Sequence, residues 1–460
     1  MREVVGSRVD RVGRSQRSER RQAVLDVLAP AALVSDELIQ RRESGYDVTE
    51  LDDLVRLAIE SGSTEEMDAA YTRLEHTSLR TDWPYEEPSA LDDIRRSLPN
   101  RADVPQLELD DDGLRDRLLG AWLGRCAGCN LGKPVEGWSR GKIRRYLDLA
   151  DAYPITDYLP VLEPWPEDLK LNACWPETTR GNIAFMARDD DIDYTILGMH
   201  ILEQHGSGFG PEDVAEEWLL RLPFFQVYTA ERVAYANLIR GIRPPDTAHY
   251  RNPYREWIGA QIRADMWGYV CPGDPEGAAA LAFADASLSH TQNGIYGEMW
   301  AAALIAACFV MTDARAAIDV SLDHVPPRSR LAAAIRDVCD LHTNRLDWES
   351  ARDEVEIRYG HYSSVHTVNN AALVTAALLW GDGDFTRTIG LAVQGGWDTD
   401  CTGATAGSIF GALHGAGALP SHWIDPLNDL VRSAIMGYDL STLSDLADRT
   451  FRLAQARREA

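Results

Sequence analysis

Apolar residues recur three and four positions apart along most of the chain, the period of helices that bury one face. Between Arg21 and Leu98, ELDDLVRLAIESG and STEEMDAAYTRLEHT read as short amphipathic helices, the second capped by Ser63 or Thr64. Pro84, Pro88, Pro99 and Pro105 then punctuate a linker that ends near Leu109. Further on, PGDPEGAAALAFADASLSH starts with Asp274 as N-cap and Pro275 at the first helical position. NGIYGEMWAAALIAACFVM is almost wholly apolar after Glu298, which predicts a buried central helix. HWIDPLNDLVRSAI and LSTLSDLADRTFRLAQARR read as closing amphipathic helices. The expected fold is all-α, with one large domain of orthogonal helices over residues 106–460 and a helical extension over 1–105. The first 22 residues, rich in Arg and Ser, are expected to be partly disordered. The extension reads as an appendage, so a chain beginning near Val104 is expected to fold.

Two helical stretches depart from ordinary patterning. In LRDRLLGAWLGRCAGCNLGKPVEGWSRGK, Gly120, Gly124, Gly128 and Gly132 recur every four residues, and in GGWDTDCTGATAGSIFGALHG so do Gly403, Gly407, Gly411 and Gly415. Each glycine weakens an isolated helix by about 1 kcal/mol relative to alanine. Such helices must recover that loss through close backbone packing, and the two are expected to meet in the core. Pro134 stops the first and delivers Glu136 onto a loop, where a single Glu is either solvated or a site residue.

Acidic residues gather at two helix starts. Asp189, Asp190, Asp191 and Asp193 enter a helix that Gly206 ends, with Ile196, Leu197, Ile201 and Leu202 on one side. Asp398 and Asp400 flank Thr399 beside Cys401 and Thr402. One Asp suffices to cap a helix against its macrodipole. Adjacent carboxylates repel unless a cation or protons offset them. Two such clusters read as halves of one hard-cation site, and acid-rich capping is the alternative. His290, Asn293, Glu298, His366, Asn369 and Asn370 stand at helix junctions, as caps or as a pocket lining.

Composition narrows the class. A formal net charge of −26 repels polyanions, which argues against nonspecific nucleic-acid binding. The longest apolar run, Met299 to Met311, is too short to span a bilayer, and the basic N-terminus lacks the apolar core of a secretory signal. Seven scattered cysteines do not form a disulfide framework, and a reducing cytoplasm is the expected compartment. Cys126 and Cys129 make a C-x-x-C without a second pair, so small-residue packing is the expectation over zinc or redox chemistry.

Taken in order, GAWLGRCAGCNLGKPVEG, RDDDIDYTILG, ADASLSHTQNGIYGE and GGWDTDCTGATAGSIFGALHG resemble the ADP-ribosylglycohydrolase family from Leu114 to Gly415. The resemblance implies an all-α fold, two Mg²⁺ or Mn²⁺ ions at the bottom of a cleft, and hydrolysis of an N- or O-glycosidic bond to ADP-ribose. It places metal ligands at Asp189, Asp190, Asp191, Asp398, Asp400 and Cys401, and makes Glu136, Asp191 and Asp400 the catalytic candidates. Tyr194, Trp267, His290 and Trp397 are the candidates for binding substrate.

This chain departs from the family pattern at three points. Asp189 stands where Thr or Ser is usual, Trp397 lies between the glycine pair and Asp398, and Cys401 replaces the usual Thr or Ser. Either the Cys401 sulfur approaches the metal or Thr402 or water takes its place. The mechanism implied is metal-assisted: paired ions grip the ribose hydroxyls and activate water, and Glu136 or an unliganded Asp acts as base. The expected partner is an ADP-ribosyl or other ribosyl substrate, protein-borne or small. The alternatives are a glycosidase acting on a small nucleoside or sugar conjugate, and a non-catalytic member used for binding.

Overall fold

The computed structural model describes residues 26–100 and 103–459. Among them the regular structure is helical apart from one antiparallel pair of two-residue strands, β1 (Leu430–Val431) and β2 (Ser441–Thr442). The fold is therefore all-α. The disorder expected for residues 1–22 falls outside the described residues.

Six helices govern the site: α1 (Pro30–Glu43), α2 (Asp111–Gly132), α3 (Asp190–His205), α4 (Asn293–Cys308), α5 (Thr367–Gly381) and α6 (Thr399–His414). Every residue of α4 is buried, as its apolar run predicts, and it packs against Pro275–Ala286, α5 and α6. The Pro275 helix begins as expected, with the Asp274 carboxylate accepting from the Gly277 N–H.

The two glycine-striped helices are partners. They run antiparallel and in backbone contact. A methyl at Gly124 would strike the Gly407 carbonyl, one at Gly128 the Gly403 carbonyl, and one at Gly132 the Thr399 carbonyl. The clash is with main chain, which has no rotamer to move to, so neither stripe tolerates a Cβ. The antiparallel run sets the C-terminus of α2, with Lys133 and Glu136 beyond it, beside the N-terminus of α6. Thr399 pins this end by donating its hydroxyl to the Gly132 carbonyl at 2.9 Å.

One closing segment differs from its expected helix. HWIDPLNDLVRSAI breaks into the short helix Ser421–Ile424, a 3₁₀ turn and β1. Pro426 removes a helical donor, and Asn428 and Asp429 turn the chain through left-handed backbone, with φ of 50° and 55°. Just past the strand the chain meets Asp193, which accepts hydrogen bonds from the Ser433 hydroxyl and the Ala434 N–H at 2.7 and 2.8 Å.

The N-terminal helices have a small core of their own, around Val34, Val55, Met67, Ala70, Tyr71 and Leu74. Buried charge joins them to the rest. Glu37 of α1 pairs with Arg255 at 2.6 Å, Gln40 and Ser44 donate to Glu256, and Glu87 pairs with Arg330 at 2.9 Å. Arg330 in turn holds Glu256 at 2.6 Å. The Glu256 carbonyl accepts from the Thr367 N–H, so the extension braces the start of α5.

Candidate functional site

Gly132 jammed against α6 and Pro134, which cannot donate, end α2 in a 3₁₀ turn over Lys133–Val135. Glu136 follows, exposed to solvent. On one side, Asn130 of α2 staples the approach to α3, donating to the Phe185 carbonyl at 3.1 Å and accepting from the Ala187 N–H at 3.2 Å. On the other, the Gly137 N–H donates to the Trp397 carbonyl and the Trp397 N–H to the Trp138 carbonyl. Both acidic motifs are thereby tied to the last turn of α2.

Ligand-type atoms of Cys129, Asp189 and Asp191 lie within 4.8 Å of one another, and so do those of Asp398, Asp400 and Cys401. All six residues are buried. Asp189 does cap α3, its carboxylate accepting from the Asp191 N–H at 3.0 Å. Asp398 stands at the N-cap of α6 yet caps nothing with its side chain, so capping does not account for the second motif.

Arg125 of α2 reaches the Asp191 carboxylate at 3.2 Å and is shared with Asp265 at 2.7 Å. Ser408 and Tyr269 donate to Asp265 in turn. Arg188 is drawn away to Asp193 at 2.7 Å. Lys133 is the ammonium committed to the cleft, paired with Asp189. It does not balance the six carboxylates of Glu136, Asp189, Asp190, Asp191, Asp398 and Asp400.

The proton affinities follow. Burial pushes Asp190, Asp191, Asp398 and Asp400 up, and their mutual repulsion adds to it. Burial acts on Asp189 in the same sense, but the Lys133 ammonium outweighs it and holds that carboxyl at about 2. The Asp400 carboxylate is the main cause that raises Glu136. Burial and the neighbouring carboxylates raise the thiols of Cys129 and Cys401. One Asp191 oxygen, Oδ2, is buried without a hydrogen-bond partner. A buried carboxylate oxygen left unpaired among like charges is costly, and a cation satisfies both needs. The donor set, mostly carboxylate oxygen, fits a divalent ion.

The remaining candidates divide. Trp397 sits beside Asp398 in left-handed backbone, φ +66°, with the Arg352 guanidinium 4.0 Å from the centre of its ring. Tyr194 lies buried on α3 against Trp218, and its hydroxyl has no hydrogen-bond partner. Trp397 and Tyr194 are themselves buried, at 8% and 3% exposure, and Trp267 and His290 are enclosed further. Trp267 packs on Phe209 and donates to Glu298 at 2.8 Å, and at 1% exposure it offers no open face for stacking. His290, also 1% exposed, bonds Ser289 at 2.8 Å. Of the junction residues, Asn370 accepts from the Asp398 N–H at 3.4 Å, and Asn369 donates to the Ser363 carbonyl.

Lys133 and Arg125 escaped the sequence reading, and Cys129 was expected only as small-residue packing. A signal existed for Cys129 and Lys133, which stand in the last turn of α2 and just beyond it, on the way to Glu136. Cys126, one turn before Cys129, is buried in the same core cluster, and among the described residues it is Cys129 and not Cys126 whose sulfur gathers with Asp189 and Asp191, so the C-x-x-C is not a chelating pair. The seven cysteines are all free.

The profile of the ADP-ribosylglycohydrolase family matches residues 110–460. The chain belongs to the ADP-ribosylglycohydrolase family. An uncharacterized protein of Archaeoglobus fulgidus is 24% identical over 323 residues, which cover 69% of this chain and 93% of that protein. A solved structure described as an ADP-ribosylglycohydrolase-related protein complex aligns at a TM-score of 0.48 and 20% identity, covering 74% of this ADP-ribosylglycohydrolase family chain and 98% of the other. The family is metal-dependent and hydrolytic. Among the described residues of this member, no helix is long and apolar enough to cross a membrane.

Proposed function

We propose that the protein hydrolyses the glycosidic bond between ADP-ribose and an acceptor. The observation that carries this is the convergence of the two acidic motifs on the end of α2, with one buried Asp191 oxygen left unpaired in the first of them. Asp190, Asp191, Asp398 and Asp400 are the residues to hold Mg²⁺ or Mn²⁺, with Asp189 and Cys401 at its edge. Such an ion supplies charge for gripping a ribose diol and for making water more acidic.

The chain's own groups do the rest. Cleavage at the ribose C1 passes through an oxocarbenium-like centre, which a ring of carboxylates stabilises electrostatically. Glu136, exposed at the mouth and raised by Asp400, holds a proton more tightly than a free Glu. It is placed to take one from attacking water and to return it to the leaving group. Arg125, itself held by Asp265, keeps Asp191 oriented by direct hydrogen bonds. Trp397 is the stacking candidate, with Arg352 already against its ring.

Isothermal titration with Mn²⁺ present tests the substrate. ADP-ribose should bind and compete with an ADP-ribosylated conjugate, a 2′-deoxyribosyl analogue should bind much more weakly, and Glu136→Gln should abolish release of ADP-ribose without abolishing binding. If plain ribose binds as tightly as ADP-ribose, the adenosine end is not recognised and the small-glycoside reading takes over. The enclosure of Trp267 favours that second reading, because it removes one stacking face.

A further inference from the structure

Lys133 carries a consequence for the number of ions. Its side chain is 11% exposed and held at both ends of its reach. The main chain is fixed by the 3₁₀ turn and by Asn172, which donates to the Lys133 carbonyl at 3.2 Å. The ammonium donates to the Asp189 carboxylate and to the Arg188 carbonyl, the latter at 3.1 Å. An amine at the tip of a four-carbon stem is a compact positive charge, and here it lies among the same anions that a metal ion would bridge.

The two acid clusters are therefore unequal. At Asp189 a cation is already built in. Among the described residues Asp398 and Asp400 have no ion pair, Lys133 acting on Asp400 only from beyond contact, and Asp191, whose Oδ1 is taken by Arg125, keeps Oδ2 unpaired in the same buried group of charges. A divalent ion bound to Asp189 would lie against the ammonium, and like charges at contact distance in a buried site repel strongly.

Resting on the metal-dependent reading above, we infer that this chain binds one divalent ion, at Asp398, Asp400 and Asp191, and that the Lys133 ammonium takes the place of the second. Titration of the full-length protein with Mn²⁺, followed by electron paramagnetic resonance, counts the ions directly. The unaltered chain should saturate at one Mn²⁺ and give the six-line spectrum of an isolated ion. Lys133→Met should take up a second, with the broadened spectrum of an exchange-coupled pair, and Lys133→Gln serves where the Met variant fails to fold. Asp400→Asn should lose the single ion.

Two Mn²⁺ in the unaltered chain would overturn the inference and leave the metal-dependent reading standing. So would one ion in both the unaltered chain and the Lys133 variants, since the ammonium would then not be what excludes the second. No bound Mn²⁺ in any form would instead remove the metal-dependent reading itself.

Discussion

Replacing Gly124 with alanine sets two effects of opposite sign against each other. Helix propensity favours alanine by about 1 kcal/mol. Against it, the new methyl strikes the Gly407 carbonyl, and only separation of the two helices relieves main-chain overlap. Overpacking typically costs about 1–3 kcal/mol, and a clash with no side chain to yield belongs at or above the upper end. The net loss is about 2 kcal/mol. With an unfolding entropy of about 2.1 cal/mol/K per residue, a domain of about 350 residues loses roughly 3 °C in Tm. Gly141 is the internal control. It lies in the helix Arg140–Leu149 with ordinary φ, and a methyl there meets nothing within 4 Å. Gly141→Ala should therefore raise Tm by roughly 1 °C. Scanning calorimetry of both variants, with reversibility checked by a second scan, reads the difference. Shifts of the same sign would refute the claim that backbone contact, and not propensity, decides at Gly124.

Metal should stabilise the fold by relieving the acid cluster: Mn²⁺ at a hundred times its Kd adds about 2.7 kcal/mol, seen as a rise in melting temperature that EDTA reverses and that Asp398→Asn abolishes. Burial, and then Glu256, raise Glu43 from 4.5 to about 7. The folded state thus binds its proton more tightly than the unfolded chain, and stability falls as pH rises from about 4.5 to 7 and is level above. Glu43→Gln should flatten that part of the pH profile in urea melts and stabilise the protein at pH 8. A chain starting at Val104 leaves Arg255, Glu256 and Arg330 without Glu37, Gln40 and Glu87, and stripping one partner from a buried pair costs about 3–5 kcal/mol. We therefore expect it to melt well below the full chain, and Arg255→Met, which removes the guanidinium left without Glu37, to recover part of the difference.

Periodicity made the helices legible because burial on one face leaves a mark every three to four residues. The pairing of α2 with α6 was legible too, because glycine at every fourth position has few explanations besides backbone contact. The acid motifs showed themselves by repulsion that needs a partner. What stayed hidden depends on direction in space. Trp267 and His290 look like pocket residues in sequence, and only the packing of Phe209 and Glu298 on Trp267 and of Ser289 beside His290 shows that they are enclosed. Cys129 was masked by its pairing with Cys126, since spacing alone does not say which of two thiols one turn apart meets carboxylates from a distant stretch of chain. The break at Pro426 was visible as a proline, but the strand beyond it forms because Ser441 and Thr442 arrive alongside.

The glycine contact also fixes when the protein can first become itself. Gly120 and Gly411 touch across about 290 residues of chain. At a ribosome's pace of about 5–20 residues per second, α2 leaves the exit tunnel roughly 15–60 s before its partner. Throughout that interval its glycine stripe has nothing to lie against, and Asp189, Asp190 and Asp191 have been made while Asp398 and Asp400 have not. A metal ion meeting the nascent chain before then finds half a site, so loading waits until α6 has emerged and closes on α2, the first helix of the domain.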